Sequence, residues 1–511
     1  MLRKIKLGFG QKIIAMVVDK MNKIIIHIRN NWDKYLLFLI IILASILRFY
    51  RLGDFLHFAH DEGRDALIIK NILDNKEIPL LGPSASIGLF NLGPLYYYFI
   101  TPFFILYNFN PVGGAVFVAL IGIFTVLLLW KVTKEVFSKE AGLFASFLYA
   151  TSFTVIMFSR WSWNLNPMPL FVLLYIYAFI KLERNKKNKG KWLLIFIISL
   201  GVMIQLHASA FIFIPISLIL FFIFKIKNIT KKEYFFSSAI FLLLNFPFIY
   251  YELSNNFISS RKIINTLFDR VGTHNIIMTI YQNVFNFGDL VNALMFSKFY
   301  GLEFNLLFIN FKNNYSFWGR LPGFILLFIL IIFLIYYYLK NRSNHGFKVV
   351  TYTALLLFPG FILFKDARYL HYYIIYFPIL YFVIGCLLSH LYKKNLISKA
   401  LVIIFVLLIL FINLSSIINY WYSLNSETKP SLSVPLFQME NVVDAIIAKS
   451  QNDSKPIIKC EVGGYTPAFE YLFSIKDIDI KCQDDNYQFR IYESSEPNSQ
   501  YKPLEVEYVI K

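Results

Sequence analysis

The sequence predicts an all-α polytopic membrane protein of about eleven transmembrane helices, closed by a small α/β domain. Three observations carry this. Of 511 residues, 57% are hydrophobic and 19% aromatic, with a mean hydropathy of +0.56, far too apolar for a soluble globule. Runs approaching the ~20 apolar residues that cross a bilayer core recur along most of the chain. Past residue 421 the runs stop and acidic residues become frequent.

Residues 1–34 carry Arg3, Lys4, Lys6, Lys12, Lys20 and Lys23 among Ile, Met and Val. They read as a basic cytoplasmic interfacial segment, or equally as plain topology signal. An apolar core followed by a small-residue cleavage site is missing from this stretch, so no cleavable signal peptide is expected. Spans are predicted at 35–50, 112–130, 141–158, 167–181, 192–206, 208–224, 234–251, 321–339, 349–364, 369–390 and 400–420.

The net charge of +19 is concentrated in short loops, such as Lys131/Lys134/Lys139, Lys225/Lys227/Lys231/Lys232 and Lys393/Lys394/Lys399. Short loops rich in Lys and Arg stay in the cytoplasm, so the excess charge reports orientation and no nucleic-acid partner is expected. The apolar stretch 93–109 would invert this pattern if it crossed. It therefore reads as re-entrant or juxtamembrane, as its two prolines and shortness suggest. Parity then puts 51–111, 159–166, the tip at His207, 252–320, 365–368 and the C-terminal part outside, in a plasma-membrane protein.

Residues 425–511 predict the small extracytoplasmic α/β domain. Residues 438–450 read as an amphipathic helix. Strands are expected at 456–462, 478–482 and 488–492, with a helix around 467–473. About 85 residues can bury a modest core. Cys460 and Cys482 are either a disulfide or two buried thiols, and Cys386 within a span is a packing residue.

Chemistry is sought in the outer loops. His60-Asp61-Glu62-Gly63-Arg64-Asp65-Ala66 leads into Leu67, Ile68, Ile69, Ile72 and Leu73, one face of a short helix along the membrane. Asp61 is explained either as an N-cap favoured by the helix dipole or as a carboxylate base. After it come NLGPLYYYF and the Gly-rich NPVGG before the next span. A later outer loop reads Ser159-Arg160-Trp161-Ser162-Trp163-Asn164-Leu165-Asn166-Pro167.

In this order the motifs resemble the GT-C superfamily of membrane glycosyltransferases, in the family-39-like branch of protein O-mannosyltransferases and lipid A aminoarabinose transferases. The resemblance covers about 35–225 by motif and 35–420 by span layout, giving a GT-C-like transmembrane domain with outer catalytic loops 51–111 and 252–320. It implies a polyprenyl-phosphate sugar donor, an acceptor on the outer face, a catalytic carboxylate at Asp61 oriented or assisted by Glu62, and inversion at the anomeric carbon. Phosphate is a competent leaving group, so a base and cations are the main needs.

Lys365, Arg368 and Tyr369, followed by His371 and Pro378, match the family's Arg-Tyr segment near the donor phosphate, although both cations could simply snorkel. Arg160, Arg64 and His207 are further candidates for the phosphate or sugar, against readings as salt-bridged, exposed or interfacial residues. Trp161 and Trp163 could stack on a sugar or belong to an aromatic belt. The chain departs from the aminoarabinose branch twice. Asn166-Pro167 stands where the branch has Asp before Pro, and Gly93-Pro94 stands where it has Lys before Pro. Asn164 and Asn166 remain possible sugar hydrogen-bonders, and an aminoarabinose donor is disfavoured.

No cofactor or metal is expected, since neither HExxH nor paired Cys/His spacing occurs and the oligosaccharyltransferase cousins' Asp-x-Asp is Asp-Glu here. The acceptor, whether glycan, lipid or protein, is not readable. Two other classes stay open: a lipid-linked sugar transporter or flippase, which would favour charges inside spans, and a non-catalytic cell-envelope membrane protein.

Overall fold

The computed structural model describes residues 9–85, 90–184, 187–271, 276–296, 317–362, 369–425, 434–450, 458–461, 465–478, 480, 489–493 and 504–508. The described residues of the eleven apolar runs fall largely on helix. In chain order the helices are α1 (Phe9–Phe49), α2 (His60–Asp74), α3 (Leu95–Leu106), α4 (Val112–Val136), α5 (Lys139–Thr151), α6 (Phe153–Phe158), α7 (Met168–Arg184), α8 (Lys189–Leu206), α9 (Phe213–Phe224) and α10 (Lys231–Leu244). There follow α11 (Phe246–Ser254), α12 (Ile258–Val271), α13 (Ile276–Met295), α14 (Phe317–Lys340), α15 (His345–Ile362), α16 (Phe377–Tyr392), α17 (Leu396–Asn425), α18 (Leu436–Lys449) and α19 (Thr466–Ser474). Among the described residues, five helices are long and apolar enough to cross a membrane, or up to six if the bent α10–α11 pair is one span.

The inner bundle forms where α5 packs on α4 and α16, and α7 on α8. At the basic end, Asp33 of α1 is buried and ion-paired to Lys134 of α4 and, at 3.3 Å, to Lys139 of α5. A carboxylate is tolerated there because two cations face it, and they pull its pKa below the usual range despite burial. Below it α1 is kinked at Asn31, whose side chain donates to the His27 carbonyl at 3.0 Å.

Two predicted spans are broken. The run 141–158 divides at Ser152, which leaves helical geometry (φ −64°, ψ 123°). The interruption survives in an apolar interior because distant groups satisfy it. The Ser152 hydroxyl donates to the Leu294 carbonyl at 3.0 Å, and Asn413 Oδ1 accepts the Phe153 N–H at 2.7 Å. The run 234–251 bends by 66° at Asn245, with Pro247 opening α11.

α3 occupies the ambiguous stretch 93–109. Its 12 residues span about 18 Å, short of the ~30 Å hydrocarbon core.

The C-terminal part contains α18, α19 and a three-stranded sheet in the order β1-β2-β3: β1 (Ile458–Glu461), β2 (Phe489–Glu493) and β3 (Leu504–Tyr508). β1 runs parallel to β2 with Cys460 opposite Ile491, and β3 is antiparallel with Phe489 opposite Tyr508. The third strand is thus Leu504–Tyr508, whereas the described part of 478–482 is not strand. Cys460 is disulfide-bonded and Cys386 is free and buried; Cys482 lies outside the described residues.

This part is continuous with the helical core. Pro435 bridges to His57, and the Leu436 N–H donates to the Leu56 carbonyl at 3.0 Å. α19 lies directly on α2, and Gly63 makes the contact possible: a Cβ there would come within 2.3 Å of the Ala468 backbone nitrogen. Tyr471 of α19 reaches past α2 to donate to the Phe109 carbonyl.

Candidate active site

The acidic triplet opens α2, and helix geometry divides its two carboxylates. The N-cap is Ala59, whose side chain cannot accept a hydrogen bond, so Glu62 at N3 turns back and accepts the Ala59 N–H at 2.9 Å. The capping carboxylate is therefore Glu62, and Asp61 is not an N-cap. Successive side chains on a helix are about 100° apart. Asp61 consequently faces outward, its side chain 38% exposed against 3% for Glu62.

Glu62 also accepts the indole N–H of Trp161, and His57 Nε2 lies 4.0 Å from its Oε2. Burial, reinforced by the charge of Asp61, pushes the Glu62 carboxyl well above the usual carboxylate range. Burial pushes His57 down to about 4, so the ring is neutral at pH 7. It sits edge-on to Trp161 with centroids 4.9 Å apart.

Asp61 Oδ1 accepts from Arg64 Nη1 at 2.8 Å and lies 3.7 Å from His60 Nδ1. Arg64 turns its other nitrogens to Asp65, at 2.9 and 2.7 Å. Despite burial, Asp65 and Asp61 hold the guanidinium above its ordinary value.

Asp61 and Arg64 form one wall of a cleft of about 60 Å³. The remaining walls come from Ser84, Ala85 and Leu92, from Trp163 and Asn164, from His207, and from His371 and Tyr372. Thus Asp61, Arg64, Asn164 and His207, predicted from three places in the sequence, meet at one opening. His207 Nδ1 accepts the Ser209 N–H at 3.2 Å. In the neutral ring this leaves the proton on Nε2 as a donor, and burial lowers the pKa to about 4, keeping the ring neutral.

Ring contacts extend outward from the cleft-lining Trp163 and His371. Trp161 stacks on Trp163 at 4.4 Å, Trp163 meets His371 at 4.8 Å, and Tyr369 stacks on His371 at 5.7 Å. Glu62 holds these rings through the Trp161 N–H. Asn164 donates to the Leu206 carbonyl and Asn166 to the Trp161 carbonyl at 2.7 Å, so both amides fix the loop, and only Asn164 borders the cleft.

Arg160 does not line the cleft. Its buried guanidinium donates to the carbonyls of Leu47, Arg48 and Arg51 at 3.3, 2.9 and 3.4 Å, closing the C-terminal end of α1. Burial lowers its pKa to about 10. Arg160→Ala is expected to cost about 2–3 kcal/mol, read as a lower thermal midpoint of the detergent-solubilised protein. An unchanged midpoint would remove this helix-closing role.

Gly93 packs against Gln205, where a Cβ would lie 2.3 Å from Oε1. A side chain at 93 would therefore require Gln205 to move. Lys365 and Arg368 lie outside the described residues. No group of three or more His, Cys, Asp or Glu able to hold a metal occurs among the described residues.

Sequence reasoning named His371 only as following the Arg-Tyr segment, and it passed over Ser84 and Tyr372 as cleft residues and Asp65 as a neighbour. A signal existed for the last: Asp61, Arg64 and Asp65 fall at i, i+3 and i+4, one face of a helix.

Residues 91–251 match the dolichyl-phosphate-mannose-protein mannosyltransferase family. No curated protein sequence matches the chain. Among solved structures, ArnT from Cupriavidus metallidurans bound to undecaprenyl phosphate superposes with a TM-score of 0.54 at 11% identity, covering 89% of this chain and 92% of that one. The apo oligosaccharyltransferase of Archaeoglobus fulgidus gives 0.53 at 14% identity, covering 90% and 65%. The same archaeal enzyme, AglB, with an inhibitory peptide and a dolichol-phosphate gives 0.53 at 16%, covering 87% and 64%. This chain thus spans under two thirds of the archaeal protein's length. The mannosyltransferase-family match lies inside the helical region and about nine tenths of the chain shares the fold of these structures, which together support the GT-C resemblance of the motifs, in the type that includes ArnT and the protein mannosyltransferases.

Proposed function

We propose that the protein is a membrane glycosyltransferase that moves a sugar from a polyprenyl-phosphate donor to an acceptor on the outer face of the plasma membrane. The observation that carries this reading is the exposed carboxylate of Asp61 at the mouth of a cleft that also holds a guanidinium and a neutral imidazole. The undecaprenyl phosphate and dolichol-phosphate in the neighbouring structures support a lipid-phosphate donor. In this reading about eleven helices cross the bilayer, the basic N-terminal segment is cytoplasmic, and the C-terminal α/β part is extracytoplasmic.

Asp61 takes the proton of the acceptor hydroxyl as its oxygen attacks the anomeric carbon. The bond from that carbon to the phosphate oxygen breaks, and the phosphate leaves with the electron pair, inverting the centre. Arg64 and the Nε2–H of His207 face the departing charge, with Lys365 and Arg368 as further cations. Trp163 offers a stacking face for the sugar ring. No metal takes part in this scheme.

In this scheme Glu62 holds Trp161 and does not exchange protons with substrate. Glu62→Gln is expected to retain at least about a tenth of the transfer rate while lowering stability by about 1–3 kcal/mol, because an amide NH2 would face an N–H donor. Loss of transfer as complete as that of an Asp61 variant would return Glu62 to the chemistry. The function itself is tested by mass analysis of surface glycans. Cells lacking the gene should lose a glycan class that the wild-type gene restores and Asp61→Asn does not. Unchanged glycans, or restoration by Asp61→Asn, would sink the transferase reading and favour a transporter or a structural envelope protein.

A further inference from the structure

Asp65 has no part in the scheme above, yet it is the most confined carboxylate of α2, 2% exposed. Its Oδ1 accepts from Arg64 Nε at 2.9 Å, from Arg64 Nη2 at 2.7 Å and from the Tyr97 hydroxyl of α3 at 3.3 Å. Its Oδ2 is buried with no hydrogen-bond partner among the described residues. Arg64 Nη1 donates to Asp61. One guanidinium is thus shared between a carboxylate sealed behind α3 and a carboxylate that opens on the cleft.

Sharing has a chemical consequence. The guanidinium carries its donors in a fixed plane, so edges committed to Asp65 cannot also grip Asp61. A cation close to a carboxylate lowers its pKa by about 1–3 units. Given wholly to Asp61, Arg64 would make that carboxylate a poor base.

We propose that Asp65 is a positioning residue that fixes Arg64 at the cleft wall and limits its hold on Asp61, so that Asp61 stays basic enough to accept a proton. The inference rests on Asp61 being the base. Burial pushes Asp65 up to about 7, with Arg64 drawing it back. Protonating Asp65 below that pH releases Arg64 toward Asp61 and weakens the base.

Other groups bear on both acids. Asp61 faces His60 on its own helix and His207, His371 and Tyr372 across the cleft, with His57 and Glu62 in electrostatic reach. Asp65 is faced by Tyr96 and Tyr97 of α3. α19, packed on the same helix, carries Glu470 and brings Tyr471 toward Asp74.

Carbodiimides label protonated carboxyls, so the pH midpoint of Asp61 labelling reports its basicity with no sugar donor present. The experiment uses the full chain in detergent and peptide mass analysis. Asp65→Asn is expected to lower the midpoint by about one pH unit and Arg64→Gln to raise it by about as much. In an Arg64→Gln background, Asp65→Asn retains only direct repulsion between the acids, so its shift should shrink; an equal shift there overturns the proposal. With a sugar donor, Asp65→Asn should cut kcat about tenfold and move the acid limb of the pH–rate profile with the midpoint. A merely structural loss would lower activity and leave the midpoint in place, which also overturns the inference. If Asp65→Asn does not fold, an unmoved midpoint in Arg64→Gln is decisive against it. Should the wild-type protein transfer no sugar while both midpoints move, the transferase reading falls and the shared cation stands.

Discussion

Asp61→Asn is expected to lower sugar transfer by about 10³-fold, or about 4 kcal/mol of transition-state stabilisation, without loss of folded protein. The reasoning is steric as well as chemical. Asn has nearly the shape of Asp and keeps a carbonyl oxygen for Arg64 Nη1, now 2.8 Å from Oδ1. It removes the negative charge and with it the ability to take a proton, and a side chain 38% exposed contributes little to packing. The same variant of a structural N-cap would mainly cost stability, but the cap is formed by Glu62 on Ala59. Measuring the transfer rate and thermal midpoint of one purified sample separates the two. Retention of more than about a tenth of the rate would remove Asp61 from the reaction.

Gly63→Ala is the second large effect, and its sign opposes ordinary helix propensity. In an exposed helix the change stabilises by about 1 kcal/mol. Here the added methyl would lie 2.3 Å from Ala468 N, 2.5 Å from Ala468 Cα and 2.6 Å from Pro467 C. All three are backbone atoms, so no rotamer change relieves the contact. α19 must lift from α2, loosening the Tyr471 hydrogen bond to Phe109 and the ring contact of Tyr471 with Phe58 at 5.9 Å. A net destabilisation of about 2–3 kcal/mol follows, with reduced transfer because the N-terminal turn of α2 carries Asp61. A raised thermal midpoint would show that α19 does not seat on Gly63.

How far the sequence is readable depends on how local each cause is. Apolar runs are legible because lipid imposes one requirement on every residue of a span. The breaks at Ser152 and Asn245 lie within such runs, and the groups that permit the first, Leu294 and Asn413, lie more than a hundred residues away. At the site, the acidic triplet is visible in a window of seven residues. Which acid caps the helix is not, since it depends on Ala59 lacking an acceptor and on the indole of Trp161 reaching Glu62. Arg160 shows the same limit: its residue type and loop suit a phosphate, but the carbonyls it meets are those left open at the end of α1. His371 and Tyr372 join the cleft by tertiary placement alone.

The seating of α19 on α2 also governs the order in which the molecule is built. α2 begins at His60 and α19 at Thr466, so ribosomes deliver α2 long before α19. Until Ala468 arrives beside Gly63, the acidic turn lacks its final support, however completely the helices behind it have packed. The acidic turn beside the cleft therefore gains its α19 contact only after the helices between them have been made.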